Sequence, residues 1–154
     1  MARRMSQPAR ERALEWATVL AAALLVMLPH VALLRGARAL FHEDARLFFE
    51  PLLSLVGSAL SSGRAPLWNP YEGLGTPLLA DPQAGAAYPA SWLACLLPAH
   101  HAYALSMVLH LGLLAGGAAA LLRELGVRRA LAIGAAAAIG LAGPAVAVLA
   151  TGGL

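Results

Sequence analysis

Lysine is missing from this chain: all 11 basic residues are arginine, set against eight acids, for a formal net charge of +3. Those arginines form no stripe interleaved with aromatics, and aromatics are only 6% of the residues. Nucleic-acid binding therefore has no support. A single cysteine, Cys95, excludes an internal disulfide and carries no information on redox compartment. Absent too are a nucleophile elbow, a phosphate-cradling glycine loop and a dinucleotide-binding fingerprint. Charge of either sign is scarce, at 12%, where soluble domains carry about 25%. The balance is taken by hydrophobic residues, which reach 60%. A soluble fold of this length has no single core large enough to hide that surface, so a bilayer is the natural solvent.

The few charges are segregated. None occurs from Ala17 to Leu34, from Leu105 to Leu122 or from Ala130 to Leu154. Each gap is close to the ~20 residues needed to cross ~30 Å of hydrocarbon. Spans are expected at 13–34, 103–122 and 130–150, joined by an outer loop over 35–102 and a connector over 123–129, with a tail over 1–12. Arg3, Arg4, Arg10 and Arg12 precede the first span, and Arg123, Arg128 and Arg129 follow the second. The long loop instead mixes four arginines with five acids. Short Arg-rich segments stay on the cytoplasmic side, so the N-terminus is expected inside and the long loop outside. A cleaved signal peptide competes for the first span, since Ala37-Arg38-Ala39 has a small-x-small shape. The apolar run exceeds the usual ~7–15 residues, however, and further spans follow.

Seven of the ten prolines lie between Pro51 and Pro98. Just before them and at their start, Phe48, Leu52, Leu55, Val56 and Leu60 recur at helical spacing. That stripe fits a helix lying in the membrane interface, and equally a helix packed on other protein segments. After Gly63, repeated Pro and Gly forbid a long helix and favour fixed turns. Trp68, Tyr71, Tyr88 and Trp92 are suited to headgroup level. Gly112-Leu-Leu-Ala-Gly116 has the spacing that lets helices approach closely, and the third span has Gly134, Gly140 and Gly143 with a kink expected at Pro144. Such small residues cover lipid poorly and suit helix partners. The ending at Thr151-Gly-Gly-Leu154 is expected to be a truncation of a larger bundle.

Glu43-Asp44 sits about ten residues beyond the first span. Such a pair can serve as general base or hold a divalent cation, and can equally be the solvated start of a helix, where acids favour the dipole. The five histidines show no ligand pair at helical spacing. His110 inside the second span is a functional candidate by position, or else a hydrogen-bonding group between helices.

Five motifs occur in order over 48 residues: His42-Glu-Asp44, Arg64-Ala-Pro-Leu-Trp-Asn-Pro-Tyr71, Gly73-Leu-Gly75-Thr-Pro77, Ala80-Asp-Pro-Gln83 and Tyr88-Pro89. Together they resemble the first outer loop of YfhO-type bacterial membrane proteins, which are similar to the wider group of C-type glycosyltransferases. The resemblance covers approximately residues 14–150, the N-terminal part of such a protein. It implies a multi-pass protein of the bacterial inner membrane that uses a polyprenyl-phosphate sugar donor and acts on cell-envelope acceptors. By position it implies Asp44 as catalytic base or metal ligand, with Glu43 beside it, and Asp81 as a second acid. A divalent cation is the cofactor implied. Arg46 and Arg64 then become candidate phosphate contacts, with lipid headgroups as their alternative. Trp68, Asn69 and Tyr71 become candidate sugar contacts, with loop architecture as theirs.

The expected fold class is all-α: a polytopic transmembrane protein of three spans plus an outer loop with an interfacial helix. Its expected partners are membrane lipids, the lipid-linked sugar, and other helices for spans two and three. The competing reading is a small, non-enzymatic membrane subunit that docks onto a partner complex. A lipid-transporter segment has only His110 in its favour.

Overall fold

A computed structural model of the chain describes residues 7–31 and 45–142. Four α-helices account for most of the described residues: α1 (Gln7–Met27), α2 (Glu50–Ser61), α3 (Ala99–Glu124) and α4 (Arg129–Gly140). The protein is mostly helical, with a two-stranded antiparallel pair, β1 (Trp68–Asn69) and β2 (Thr76–Pro77), in register Trp68↔Pro77 and Asn69↔Thr76. The segments Ala9–His30 and Ala99–Glu124 are long and apolar enough to cross a membrane. α4 is 12 residues, about 18 Å at helical rise, and ends at its Leu141 cap; residues 143–150 of the third expected span lie outside the described residues.

The contacts divide the chain into two compact units. The first contains α1, α4 and the part of α3 from Val108 onward; the second contains the described residues 45–107.

In the first unit the usual size order of a core is inverted. Ala22, Ala115, Ala119, Ala132 and Ala136 are buried, while Leu20, Leu24, Leu113, Leu121 and Leu131 are exposed. Ala22, Ala119 and Ala136 cluster together. Water would favour the opposite arrangement, whereas in lipid there is no apolar driving force between helices and small residues set the approach. The Gly112/Gly116 spacing has this role. A β-carbon on Gly112 would sit 2.7 Å from Met27 Sδ, and one on Gly116 would sit 3.3 Å from Val19 Cγ1, so both glycines lie against α1. Gly140 of α4 likewise meets Val26, at 2.8 Å from Cγ2. Gly134 meets no atom of the described residues, and Gly143 and Pro144 lie outside them. α1 ends where Pro29 deprives the Leu25 carbonyl of its N–H partner. A short 3-10 turn, Leu28–His30, follows, and the His30 ring nitrogen Nδ1 donates to the Val26 carbonyl at 3.0 Å.

The second unit is built on α2. A π-helical turn, Ala45–Phe49, leads into it, and Pro51 occupies its first turn, where a missing N–H costs nothing. The stripe legible in the sequence is the buried side: Leu52 and Val56, flanked by Phe48, Leu55 and Leu60, pack on Leu78, Ala84 and Ala86. Of the two readings of that stripe, the structure shows the helix packed on protein. The opposite side presents Ser54, Ser58 and Ser61, all exposed. A seven-residue 3-10 helix, Pro89–Cys95, comes so close to α2 that a β-carbon on Gly57 would lie 2.3 Å from the Ala94 carbonyl oxygen. Phe49 stacks on Tyr103 at the start of α3, ring centroids 6.0 Å apart and 13° from parallel.

Trp92 is half exposed and donates its indole N–H to the Ala86 carbonyl at 3.1 Å, which ties the 3-10 helix to the loop that fills the core. Trp92→Phe keeps most of the ring contact and loses this bond. Thermal melting of the detergent-solubilised protein is expected to show a loss of about 0.5–1.5 kcal/mol, the net worth of one neutral hydrogen bond.

Candidate functional site

The Pro/Gly-rich segment of the second unit makes a rigid hairpin. The Tyr71 amide donates to Asn69 Oδ1 at 3.0 Å, an Asx turn, and Asn69 Nδ2 donates to Glu72 Oε2 at 3.4 Å. The Gly75 amide then closes on the Glu72 carbonyl at 2.8 Å, and the Leu78 amide returns to the Leu67 carbonyl at 2.9 Å. Gly75 has φ +100°, a conformation L side chains rarely adopt, and the Trp68 indole covers it; an added β-carbon would be 2.5 Å from the ring. Asn69 is 4% exposed and its amide is used in holding the turn. Loop architecture is thus a demonstrated role for Asn69 and Trp68. Tyr71, by contrast, is 82% exposed.

This hairpin and the serine side of α2 form the walls of an open cleft of about 590 Å3. Its polar lining is Ser54, Ser58, Asn69, Tyr71 and Glu72, over an apolar floor that includes Phe48, Leu52 and Leu55. The Ser58 hydroxyl donates to the Ser54 carbonyl at 2.7 Å, which leaves its oxygen lone pairs available as acceptors. The cleft falls within the ~300–1,000 Å3 typical of small-molecule sites, and it combines an aromatic face, hydroxyls and one carboxylate.

The residues expected from the sequence divide as follows. Asn69 and Tyr71 come together on the cleft, and Trp68 is next to them on β1. Arg46 is exposed and immediately precedes the lining residues Leu47 and Phe48. Arg64 is exposed beyond the end of α2 and does not line the cleft. Asp81 accepts from the Gln83 amide at 2.8 Å, a local turn, and is likewise apart from it. Glu43 and Asp44 lie outside the described residues; Asp44 is the chain neighbour of Ala45, where the turn into α2 begins. Among the described residues no group of three or more His, Cys, Asp or Glu could hold a metal ion.

Sequence reasoning missed Ser54, Ser58 and Glu72 as cleft residues. The two serines are one helical turn apart opposite the apolar stripe, and that spacing was the available signal. Glu72 had none, because its position depends on the Asx turn.

A second polar cluster occupies one end of the first unit. Arg123 donates through Nε and Nη2 to the two carboxylate oxygens of Glu15, at 2.8 and 2.7 Å, a bidentate pair. Arg129 Nη2 bridges Glu15 at 2.9 Å and Glu11 at 2.6 Å. Arg123 also donates through Nη1 to the Val127 carbonyl. The start of α1 and the α3–α4 connector therefore lie together, and arginines read from the sequence as topology signals are also ion-pair partners.

A scan of protein-family models and searches of curated proteins and of solved structures returned no match.

Proposed function

We propose that this chain is the N-terminal portion of a polyprenyl-phosphate-sugar-dependent glycosyltransferase of the bacterial inner membrane, acting on cell-envelope acceptors, with three spans and the second unit on the outer face. The observation that carries the reading is the cleft of the second unit. It sets Tyr71 and Glu72 opposite Ser54 and Ser58, a set suited to a sugar: a ring face for its C–H surface, and acceptors for its hydroxyls. The two membrane-length helices and the ordered motifs of the outer loop support the same reading.

In this reading a carboxylate, Asp44 with Glu43 beside it, takes the proton of the acceptor hydroxyl. The acceptor oxygen bonds to the anomeric carbon with inversion, and the bond from that carbon to the polyprenyl phosphate breaks, the phosphate oxygen keeping the electron pair. Charge on the leaving phosphate calls for a cation, either a divalent metal held with the help of Asp44 or an arginine. Arg46 is favoured over Arg64 because its chain neighbours line the cleft.

The test uses the complete protein in membranes and a radiolabelled polyprenyl-phosphate sugar. Asp44→Asn is expected to abolish transfer while membrane insertion is unchanged; retained transfer refutes the assignment. Glu72→Gln is expected to raise KM for the donor about tenfold, the loss of one charged hydrogen bond.

A second reading, the non-enzymatic docking subunit, has an observation of its own. Gly134, Ala135 and Ala138 are exposed on α4, and among the described residues nothing lies within 4 Å of a β-carbon added at Gly134. Another helix could approach closely there. A stoichiometric partner on pull-down, with Asp44→Asn silent, selects this reading.

A further inference from the structure

The end of the first unit where the arginines gather also holds an open cleft of about 630 Å3, lined by Arg123, Arg128, Arg129, Ala130 and Leu131. The bend that makes it is local. The Gly126 amide donates to the Arg123 carbonyl at 2.9 Å and the Val127 amide to the Leu122 carbonyl at 3.0 Å, with Gly126 at φ +80°. These two bonds terminate α3 as a glycine C-cap, and α4 begins three residues later.

Three features make this cleft electropositive. First, Glu15 and Glu11 pair with Arg123 and Arg129 and so fix where those guanidiniums sit, but the Arg128 side chain is exposed and makes no ion pair or hydrogen bond among the described residues. Glu11 and Glu15 offset two of the three arginines of the cleft, and among the described residues Arg128 is left unpaired at its rim; Glu124, the chain neighbour of Arg123, is exposed and is not part of the lining. Second, Arg128 is the N-cap of α4 and provides no side-chain cap, so the first-turn amides of Arg129, Ala130 and Leu131 open toward the end carrying the helix's partial positive charge. Third, the Nε of Arg129 has no hydrogen-bond partner among the described residues, while the side chain as a whole is 37% exposed, so one donor of the cluster is unmatched.

The surroundings decide between a dissolved anion and a lipid. Leu131 of the lining and Leu125, which lies between Arg123 and Arg128 in the chain, are 63% and 70% exposed. Leu121, one turn earlier on α3, is 61% exposed. An anion alone uses none of this apolar surface; an acyl chain covers it. The cleft also lies at the end of two helices of membrane-spanning length, the level at which headgroup phosphates are found.

We propose that this cleft is a binding site for the phosphate of an anionic membrane lipid. Arg128 and the first-turn amides of α4 hold the phosphate, Arg123 and Arg129 set the field, and Leu125 and Leu131 lie along an acyl chain. Glu15 and Glu11 act as positioning residues that keep two guanidiniums at the rim. The site is independent of the sugar cleft and of the transferase reading.

The experiment places the full chain in phosphatidylcholine nanodiscs and titrates in fluorescent phosphatidylglycerol. Saturable binding of one phosphatidylglycerol per chain is expected, with Arg128→Gln weakening it about fivefold, the usual contribution of one basic residue near a membrane surface. The Arg128 side chain has no hydrogen bond or ion pair among the described residues to lose, so circular dichroism of the variant should match that of the native chain. Arg12→Gln removes an exposed arginine outside the cleft and is expected to leave the titration unchanged. Unchanged binding in Arg128→Gln overturns the proposal, and so does an equal loss in Arg12→Gln, which would indicate diffuse attraction. Displacement of the lipid by millimolar inorganic phosphate would overturn the assignment to lipid in favour of a free anion.

Discussion

Gly57→Val is expected to dismantle the second unit. A β-carbon at Gly57 would lie 2.3 Å from the Ala94 carbonyl oxygen, 2.7 Å from its carbonyl carbon and 2.8 Å from its β-carbon. None of these atoms is the end of a flexible side chain, so neither partner has a rotamer through which to yield. α2 must instead lift off the 3-10 helix. Leu52 and Val56, buried on α2, move with it and away from Leu78, Ala84 and Ala86. One misplaced methyl in a packed core costs about 1–3 kcal/mol, and valine adds two more carbons at the same point. Whole domains have only about 5–15 kcal/mol of stability in total. Limited proteolysis of the full chain in detergent should therefore cut the valine variant within residues 45–98 under conditions where the native chain resists. Gly57→Ala should lie between them. Ser58→Ala, one residue on and exposed, should behave as native because it loses only a bond to its own helix. Resistance in the valine variant would mean that α2 and the 3-10 helix do not make this approach.

Gly57 also illustrates where sequence reading stops. The stripe Phe48, Leu52, Leu55, Val56, Leu60 is periodic, and periodicity alone locates α2 and its buried side. What the stripe packs against is not periodic. Leu78, Ala84 and Ala86 come from a Pro/Gly-rich stretch whose turns, not its hydrophobic pattern, decide which residues point inward. The membrane-length helices were legible for the same reason as α2, from long runs without charge. Their mutual packing was legible only in kind: Gly112-x-x-x-Gly116 announces a close approach, but that Val19, Ala23 and Met27 receive it depends on how α1 is rotated. At the cleft of the second unit, Asn69 and Tyr71 were visible as chemistry within a motif. Glu72 became visible only once the Asx turn placed it beside Asn69.

The ion cluster of the first unit was illegible because its acids are 108 or more residues from its arginines. Its expected weight is large. Glu15→Arg places three guanidiniums where one carboxylate had held two, in a site where the Arg123 side chain is only 21% exposed. Partly shielded charges are screened little by salt, so added electrolyte should not rescue the variant. The melting temperature of the detergent-solubilised protein, and the amount that accumulates in membranes, should both fall steeply. The added arginine has the same sign as Arg3, Arg4, Arg10 and Arg12, so it does not oppose the orientation expected from them. The double variant Glu15→Arg/Arg123→Glu recreates the pair with its signs exchanged and should recover part of the loss. Recovery stays partial, since the Arg123 bond to the Val127 carbonyl goes with the substitution. A positive coupling energy in the cycle of native, single and double variants is the decisive quantity. Strict additivity would mean that the pair does not hold α1 to the α3–α4 connector, and the same result would remove the reason for Arg123 and Arg129 to stand at the rim of the arginine-lined cleft.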